Sequence, residues 1–434
     1  MRPAPALLRV GAALLAVGSL LFVWPEYRVV WLSATAGAVA VALIDLCVLW
    51  CDATPAATRD ANPSMALGVM RNIGLRINNP GRRSIKIEVF DHYPSSMQTS
   101  EQPKTVRIAA REFTRIQYAV TPLARGQHPF GLIDLRTYSP LSWWTRRTAV
   151  AAEQTVNVFP NFAAVTKFAV LGIDSQVAAG GAHLRPRRGE GSEFHQLREY
   201  RVGDTFRQID WKATARLSKM IAKEYQEERD QQIVFLIDTG RRMLAREGGL
   251  SHFDHVLNAM LLLSYVALRQ GDAVGFMTCG DGARWMKPRK GMSTMSALTK
   301  QLFDLQPDPV AVDYQAAATQ LALRQKRRAL IVMLTNIRDE DGDDLRVAFN
   351  LLRRRHVLLV ASLREPGVDQ LLDRPVQDFD AARDFASAHH YLDSRRITHE
   401  MLGARGVLIE DTSCSELPQS LAKRYMDIKR AGVL

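Results

Sequence analysis

Residues 180–243 read GGAHLRPRRGEGSEFHQLREYRVGDTFRQIDWKATARLSKMIAKEYQEERDQQIVFLIDTGRRM. The stretch opens on a glycine pair and a basic, glycine-punctuated loop. It then crowds Arg198, Glu199, Arg201, Asp204, Arg207, Asp210, Lys212 and Arg216 around Tyr200, Phe206, Ile209 and Trp211. Opposite charges alternating beside aromatics of a buried type predict a salt-bridged, hydrogen-bonded connector rather than a solvated tail. Phe206, Ile209, Ala213 and Leu217 share one helical face, so a short amphipathic helix is expected over 206–218, with Asp204 as its cap. Residues 220–226 read as an edge strand. The stretch ends in the apolar run 233–237, which stops on Asp238.

Beyond Asp238 the pattern alternates. Strands are expected at 233–238, 273–279, 329–335, 357–363 and 407–410. Helices are expected at 252–270, 293–305, 314–325, 343–354, within 369–402, and at 416–429. The strand runs are continuously apolar, as in a parallel sheet covered on both faces. Residues 232–434 therefore form a doubly wound α/β domain, with 283–290 as an antiparallel edge strand.

Upstream the chain changes character twice. Residues 6–24 are apolar apart from Arg9, and 29–50 apart from Asp45, each close to the roughly 20 residues that cross a bilayer. Only a short turn separates them, so 1–52 reads as a two-helix transmembrane hairpin. Trp24, Tyr27, Trp31 and Trp50 stand where interfacial aromatics belong. Arg2, Arg9, Arg59 and Arg71 flank the hairpin and are expected to place both ends, and the soluble domains, on the cytoplasmic side of the membrane. Asp45 is expected to pair with Arg9 or to reach the headgroups. Residues 53–66 read as a linker. Over 67–160, strands are expected at 67–78, 85–92, 104–109, 114–121, 126–138 and 155–159, the pattern of an all-β, Ig-like sandwich.

The order Arg198-Glu199-Tyr200, then Gly203-Asp204, Arg207, and 209–216 (IDWKATAR) resembles the domain-of-unknown-function 58 family. These are bacterial membrane proteins with a von Willebrand factor type A-like domain, associated with MoxR-type AAA+ ATPases. The turn 121–126, the exit 157–160 and the closing run 424–429 also resemble family features, so the likeness spans the soluble chain. At 138–144 the family carries an Asp-Pro-Leu/Phe-Gly turn; here Ser139 and Ser142 take the aspartate and glycine places, so a different shape is expected. The signature, 161–231, joins the β-domain to the type A-like domain. Its charged residues are expected either to lock the connector in place or to face a partner.

Type A-like domains hold a divalent metal at the C-terminal edge of the sheet through Asp-x-Ser-x-Ser, hard oxygens suited to magnesium. Here the loop reads Asp238-Thr239-Gly240-Arg241-Arg242: both serines are missing, and Arg242 brings a charge to the place of a cation. The next loop, 335–339, offers acids only from Asp339 onward. No metal or cofactor is therefore expected, and Asp238 is the one candidate for Mg2+. Four cysteines show no zinc or disulfide spacing. No Gly-x-Ser-x-Gly or His-Glu-x-x-His occurs.

With 434 residues, 47% hydrophobic and 24% charged, the chain is a folded protein of two or three domains. Its net charge of +12 is scattered, without an aromatic-studded basic groove, so nucleic acid is not an expected partner. The reading is a membrane-anchored, non-enzymatic scaffold working with a MoxR-type ATPase in protein maturation or envelope remodelling. The alternatives are a metal-dependent enzyme or adhesion domain at Asp238, and nucleic-acid binding.

Overall fold

A computed structural model describes residues 1–20, 24–161, 193–201, 206, 209–226, 231–280 and 282–433. The chain divides into two compact units, Met1–Pro160 and Asn161–Leu434.

The first unit begins with α1 (Pro5–Leu20) and α2 (Arg28–Cys51), joined through a 3-10 turn at Pro25–Tyr27. The α2 helix is long and apolar enough to cross a membrane, while α1 is shorter. They pack where Gly18 leaves room for the Trp31 indole; a Cβ there would lie 2.8 Å from the ring. Trp31 Nε1 donates to Leu14 O at 3.1 Å.

Most of α2 is exposed, and its buried residues, Ala42, Asp45 and Leu49, share one face. That face meets the turn between β10 (Ile133–Tyr138) and β11 (Trp144–Val150). Asp45, 3% exposed, accepts from Ser139 Oγ at 2.6 Å and from the Leu141 amide at 3.1 Å. Trp144 Nε1 donates to Ala42 O at 2.8 Å. Asp45 therefore neither pairs with Arg9 nor reaches the headgroups as expected. A serine hydroxyl and a turn amide saturate it. The same hydroxyl accepts from the Trp143 and Trp144 amides, and Ser142 adopts φ 59 where a glycine would sit without strain. Asp45→Ala should cost the full-length protein in detergent ~1–3 kcal/mol, by orphaning the buried Ser139 hydroxyl and Leu141 amide. A thermal midpoint equal to wild type would show that this anchor is idle.

The β-rich part contains three sheets. One orders β1 (Arg2–Pro3), β11, β10, β5 (Ile85–Asp91) and β7 (Lys104–Ile108). Another orders β2 (Ala56–Asp60), β4 (Arg71–Asn78), β8 (Phe113–Pro122) and β6 (Met97–Gln98). The third has β3 (Ser64–Ala66), β12 (Gln154–Phe159) and β9 (Gly126–Phe130). Alternation buries Ile73, Leu75 and Ile77 of β4 and Ile85, Ile87 and Val89 of β5. Two expectations change. Residues 53–66 hold β2 and β3 rather than a bare linker, because every second residue finds a place in the core. The strand expected at 126–138 is two strands in different sheets, parted where the Gly131 amide turns to donate to His92 O. Arg59, counted above as a flanking charge, is buried in this unit.

The second unit carries a six-stranded sheet in the order β19 (Trp285–Arg289), β18 (Ala273–Cys279), β15 (Gln232–Asp238), β20 (Leu330–Thr335), β21 (Val357–Arg364), β22 (Leu408–Ser413). All pairs are parallel except β18–β19. The central strands β18 and β20 are buried end to end, and β15 from Ile233 onward, as their unbroken apolar runs require. One face packs under α4 (His252–Arg269), α5 (Ser293–Leu302) and α10 (Leu417–Arg430). The other packs under α6 (Tyr314–Arg324), α7 (Gly342–Leu352) and the end of α9 (Phe379–Gly403), with α8 (Pro366–Leu372) preceding α9. Two small ribbons complete the unit: β13 (Glu193–Glu199) with β14 (Ile221–Gln226), and β16 (Arg246–Glu247) with β17 (Leu250–Ser251). Helix α3 (Trp211–Leu217) precedes β14.

Candidate functional site

The chain leaves β15 toward β18 and leaves β20 toward β21, so the sheet order reverses between these neighbours. Open α/β sheets place their ligand crevice outside the strand ends at such a point. Asp238 ends β15 and Thr335 ends β20. Asp238 is buried, and both its oxygens are occupied. Oδ1 accepts from the Gly240 amide at 2.7 Å; Oδ2 accepts from Thr335 Oγ1 at 2.6 Å and Tyr314 OH at 3.0 Å. Burial pushes this carboxyl above its ordinary range, against those three hydrogen bonds. Gly240 permits the tight loop: a Cβ there would lie 2.7 Å from Val312 Cγ2.

Arg242 reaches across the crevice to pair with Asp341 and Glu340, and donates to Asn336 O at 3.2 Å. The remaining space, lined by Asp238, Arg242, Val312, Tyr314 and Asp341, is a pocket of about 30 Å³. A second arginine, which the sequence did not single out, fills the neighbouring strand ends. Arg395 of α9, 3% exposed, donates to Asn336 Oδ1, Ile337 O, Ser362 Oγ, Leu363 O and Asp411 Oδ1 at 2.5–2.8 Å.

The signature lies apart from the sheet. Arg198 and Glu199 end β13, and Asp210 caps α3 by accepting from the Ala213 amide at 3.0 Å. The helix cap is thus Asp210, and the helix starts at Trp211. Gly203, Asp204 and Arg207 lie outside the described residues. Asp210 also stands 3.5 Å from Lys223, and the Ala213 amide, with Lys223 in support, holds its carboxyl below the usual range. Ile209 and Ala213 are buried, but Trp211 is 65% exposed and Phe206 75%. Lys212, Arg216 and Leu217 are exposed beside them. Tyr200 stacks on Phe206 with ring centroids 6.4 Å apart. The buried aromatic lock expected from the sequence is therefore an aromatic, basic surface. Two helix positions turn through about 200°, so burying Ala213 turns Trp211 outward.

The sequence profile of the family described as "Protein of unknown function DUF58" matches residues 196–379, from the signature ribbon to the start of α9. The chain carries a DUF58 domain. Among curated proteins it is similar to the uncharacterized protein YeaD of Bacillus subtilis (strain 168), 21% identical over 227 residues. That match covers 52% of this chain and 54% of YeaD, so the chain spans about half the length of that relative. Among solved structures it overlaps an aerotolerance-related membrane protein from Bacteroides fragilis at TM-score 0.30 and 14% identity, covering 46% of this chain and 99% of that one. It also overlaps a Salmonella alpha-2-macroglobulin at TM-score 0.20 and 18% identity, covering 24% of this chain and 7% of that one. Overlaps this loose carry no functional argument. Asp238, Arg242 and the signature residues from Arg198 to Arg216 fall within the matched residues.

Proposed function

We propose that this protein is a membrane-anchored, non-enzymatic scaffold whose type A-like DUF58 domain docks a MoxR-type AAA+ ATPase through its signature surface. The observation that carries the reading is the exposed pair Phe206 and Trp211 beside Lys212 and Arg216. Tryptophan, tyrosine and arginine are the residues that dominate protein interfaces. Arginines in the sheet crevice support a binding rather than a catalytic role, since Arg242 already neutralises the acids that a cation would use. The two-helix hairpin, with both ends tied to β11, supports a multi-pass anchor in the inner membrane with the DUF58 domain in the cytoplasm.

The test is affinity capture of the detergent-solubilised protein from its native cells. Trp211→Ala with Arg216→Ala should weaken capture of the ATPase by about 2 kcal/mol or more, roughly thirtyfold, if this surface is its hot spot. Equal capture by the folded variant would move the contact elsewhere, and no ATPase with either bait would remove the partner. Calorimetric titration with magnesium or manganese is expected to show no site at Asp238. Stoichiometric binding lost in Asp238→Ala would overturn the non-metal reading.

A further inference from the structure

Two neighbouring side chains, Glu247 and His252, meet the sequence-remote Cys414 at the C-terminal edge of the sheet, on the α4–α10 face. Glu247 Oε, His252 Nδ1 or Nε2, and Cys414 Sγ lie within 4.8 Å of one another. Each is placed by a separate local device. Glu247 ends β16, where Gly248 and Gly249, at φ 59 and 85, make the two-residue turn of the β16–β17 hairpin. His252 opens α4 immediately after the capping box of Ser251 and Asp254. Cys414 lies in the turn between β22 and α10, where Glu416 N bonds back to Ser413 O.

The Cys414 thiol shares a hydrogen bond with the Glu247 carboxylate, but two other polar atoms of this cluster find no partner within the protein. His252 is 2% exposed, yet its Nδ1 has no hydrogen-bond partner, and neither has the buried Glu247 Oε2. A buried polar atom left without a partner is destabilising, because it gives up its hydrogen bond to water and gains none in return. Two such atoms on side chains grouped with a fully buried thiol are better explained by a shared guest than by chance. The Glu365 carboxylate also bears on both His252 and Cys414, adding negative field to the cluster. Its Oε1 is held by Asn336 at 2.7 Å and Arg338 at 3.2 Å.

We propose that Glu247, His252 and Cys414 form a binding site for a transition-metal dication of the zinc class. One thiolate, one imidazole and one carboxylate are the ligand types that zinc accepts, whereas magnesium and calcium take oxygen ligands. Around a tetrahedral zinc, with bonds of about 2.0–2.3 Å, donor atoms stand roughly 3.3–3.6 Å apart. The three ligand atoms need to draw in by about an ångström, within reach of side-chain rotation. Burial lowers the proton affinity of His252 and keeps its imidazole in the neutral form that a metal needs. Burial, with Glu247 beside it, holds the Cys414 thiol protonated in the absence of metal. Binding therefore forms a sulfur–metal bond and releases the thiol proton to solvent, so affinity rises with pH. The metal would pin the β16–β17 hairpin and the start of α4 to the β22–α10 turn, chain segments more than 160 residues apart. Three protein ligands leave a fourth position for water.

The site is tested with zinc and cobalt(II) on the detergent-solubilised full-length chain carrying Cys47→Ser and Cys51→Ser, because those exposed cysteines are a turn apart on α2 and could bind zinc themselves. One equivalent of zinc should bind, with proton release and a higher melting midpoint that EDTA reverses. Cobalt(II) should give a near-ultraviolet thiolate charge-transfer band, absent in Cys414→Ser. Glu247→Gln, a half-buried change that preserves shape, should weaken zinc by about tenfold or more and guards against a misfolded Cys414→Ser. Asp238→Asn should leave the band unchanged, which separates this site from any ion at the sheet crevice. Absence of zinc binding, or a thiolate band that survives Cys414→Ser, would overturn the proposal.

Discussion

Replacing Arg395 by methionine should lower the stability of the C-terminal unit by ~3–5 kcal/mol, the range for breaking a buried charged network by removing one partner. Calorimetry should register this as a fall of about 10 °C in that unit's transition. The reason is geometric. One guanidinium ties together five acceptors from the exits of β20 and β21 and from β22, and methionine can bond none of them. Two of those acceptors, Ile337 O and Leu363 O, are backbone carbonyls that water cannot reach without opening the helix from the sheet. Asp411 is partly exposed and recovers solvent, so the largest part of the loss comes from the orphaned carbonyls and hydroxyl. Arg395→Lys should recover little, since an ammonium is a point donor that cannot span the fork. A loss under about 1 kcal/mol for Arg395→Met would mean that the strand ends rearrange around solvent instead.

Arg395 also marks where the sequence stops being readable. The parallel strands were legible because a strand buried on both faces has to be apolar at every position, as in Ile233–Ile237 and Leu330–Leu334. The edge strand β19 was legible because its position after β18 left only an antiparallel return. Helix α9 offered no such rule. It buries Ala388, Arg395, Thr398 and Leu402, a set with no apolar period, so the residue that holds the crevice looked like one charge among many. Contacts between distant segments were equally silent. Nothing near Asp45 announces Ser139, 94 residues away, and nothing near Glu247 and His252 announces Cys414, which a turn more than 160 residues on brings to them. At the signature the error was different. Aromatics among alternating charges suggest core, but the helix phase that buries Ala213 leaves Trp211 to solvent.

Two arginines thus occupy the edge where this class of sheet binds ligands, and they act differently. Arg395 satisfies backbone carbonyls and is a structural brace. Arg242 neutralises Glu340 and Asp341 next to a carboxyl, Asp238, whose oxygens the protein itself has filled. A site of this kind favours a rigid loop surface over exchange of an ion.

The second large effect is expected in the N-terminal unit. Asp91→Ala should destabilise it by ~3–5 kcal/mol through loss of a fully buried ion pair. Asp91 belongs to β5, while Arg59 and Tyr118 belong to β2 and β8 of a different sheet, so this carboxylate joins two layers. Arg59 Nε donates to Asp91 Oδ2 at 2.9 Å and Tyr118 OH donates to the same oxygen at 2.6 Å. Arg59 continues to the Gly131 carbonyl at 2.8 Å and stacks over the Phe130 ring with 4.8 Å to its centroid. Burial raises the Tyr118 hydroxyl well above its ordinary range, with the neighbouring Asp91 charge in support, so it stays a donor. Removing Asp91 leaves a guanidinium and a phenol buried without their acceptor. The triple change Arg59→Met, Asp91→Leu, Tyr118→Phe removes donors and acceptor together and should regain most of the loss, since apolar replacements of a buried pair are often neutral or stabilising. Chemical unfolding of the full-length protein in detergent, followed through the N-terminal tryptophans, separates the outcomes. If the single and triple variants unfold at the same denaturant concentration, the network contributes packing rather than charge pairing, and the layers are held by their apolar faces alone.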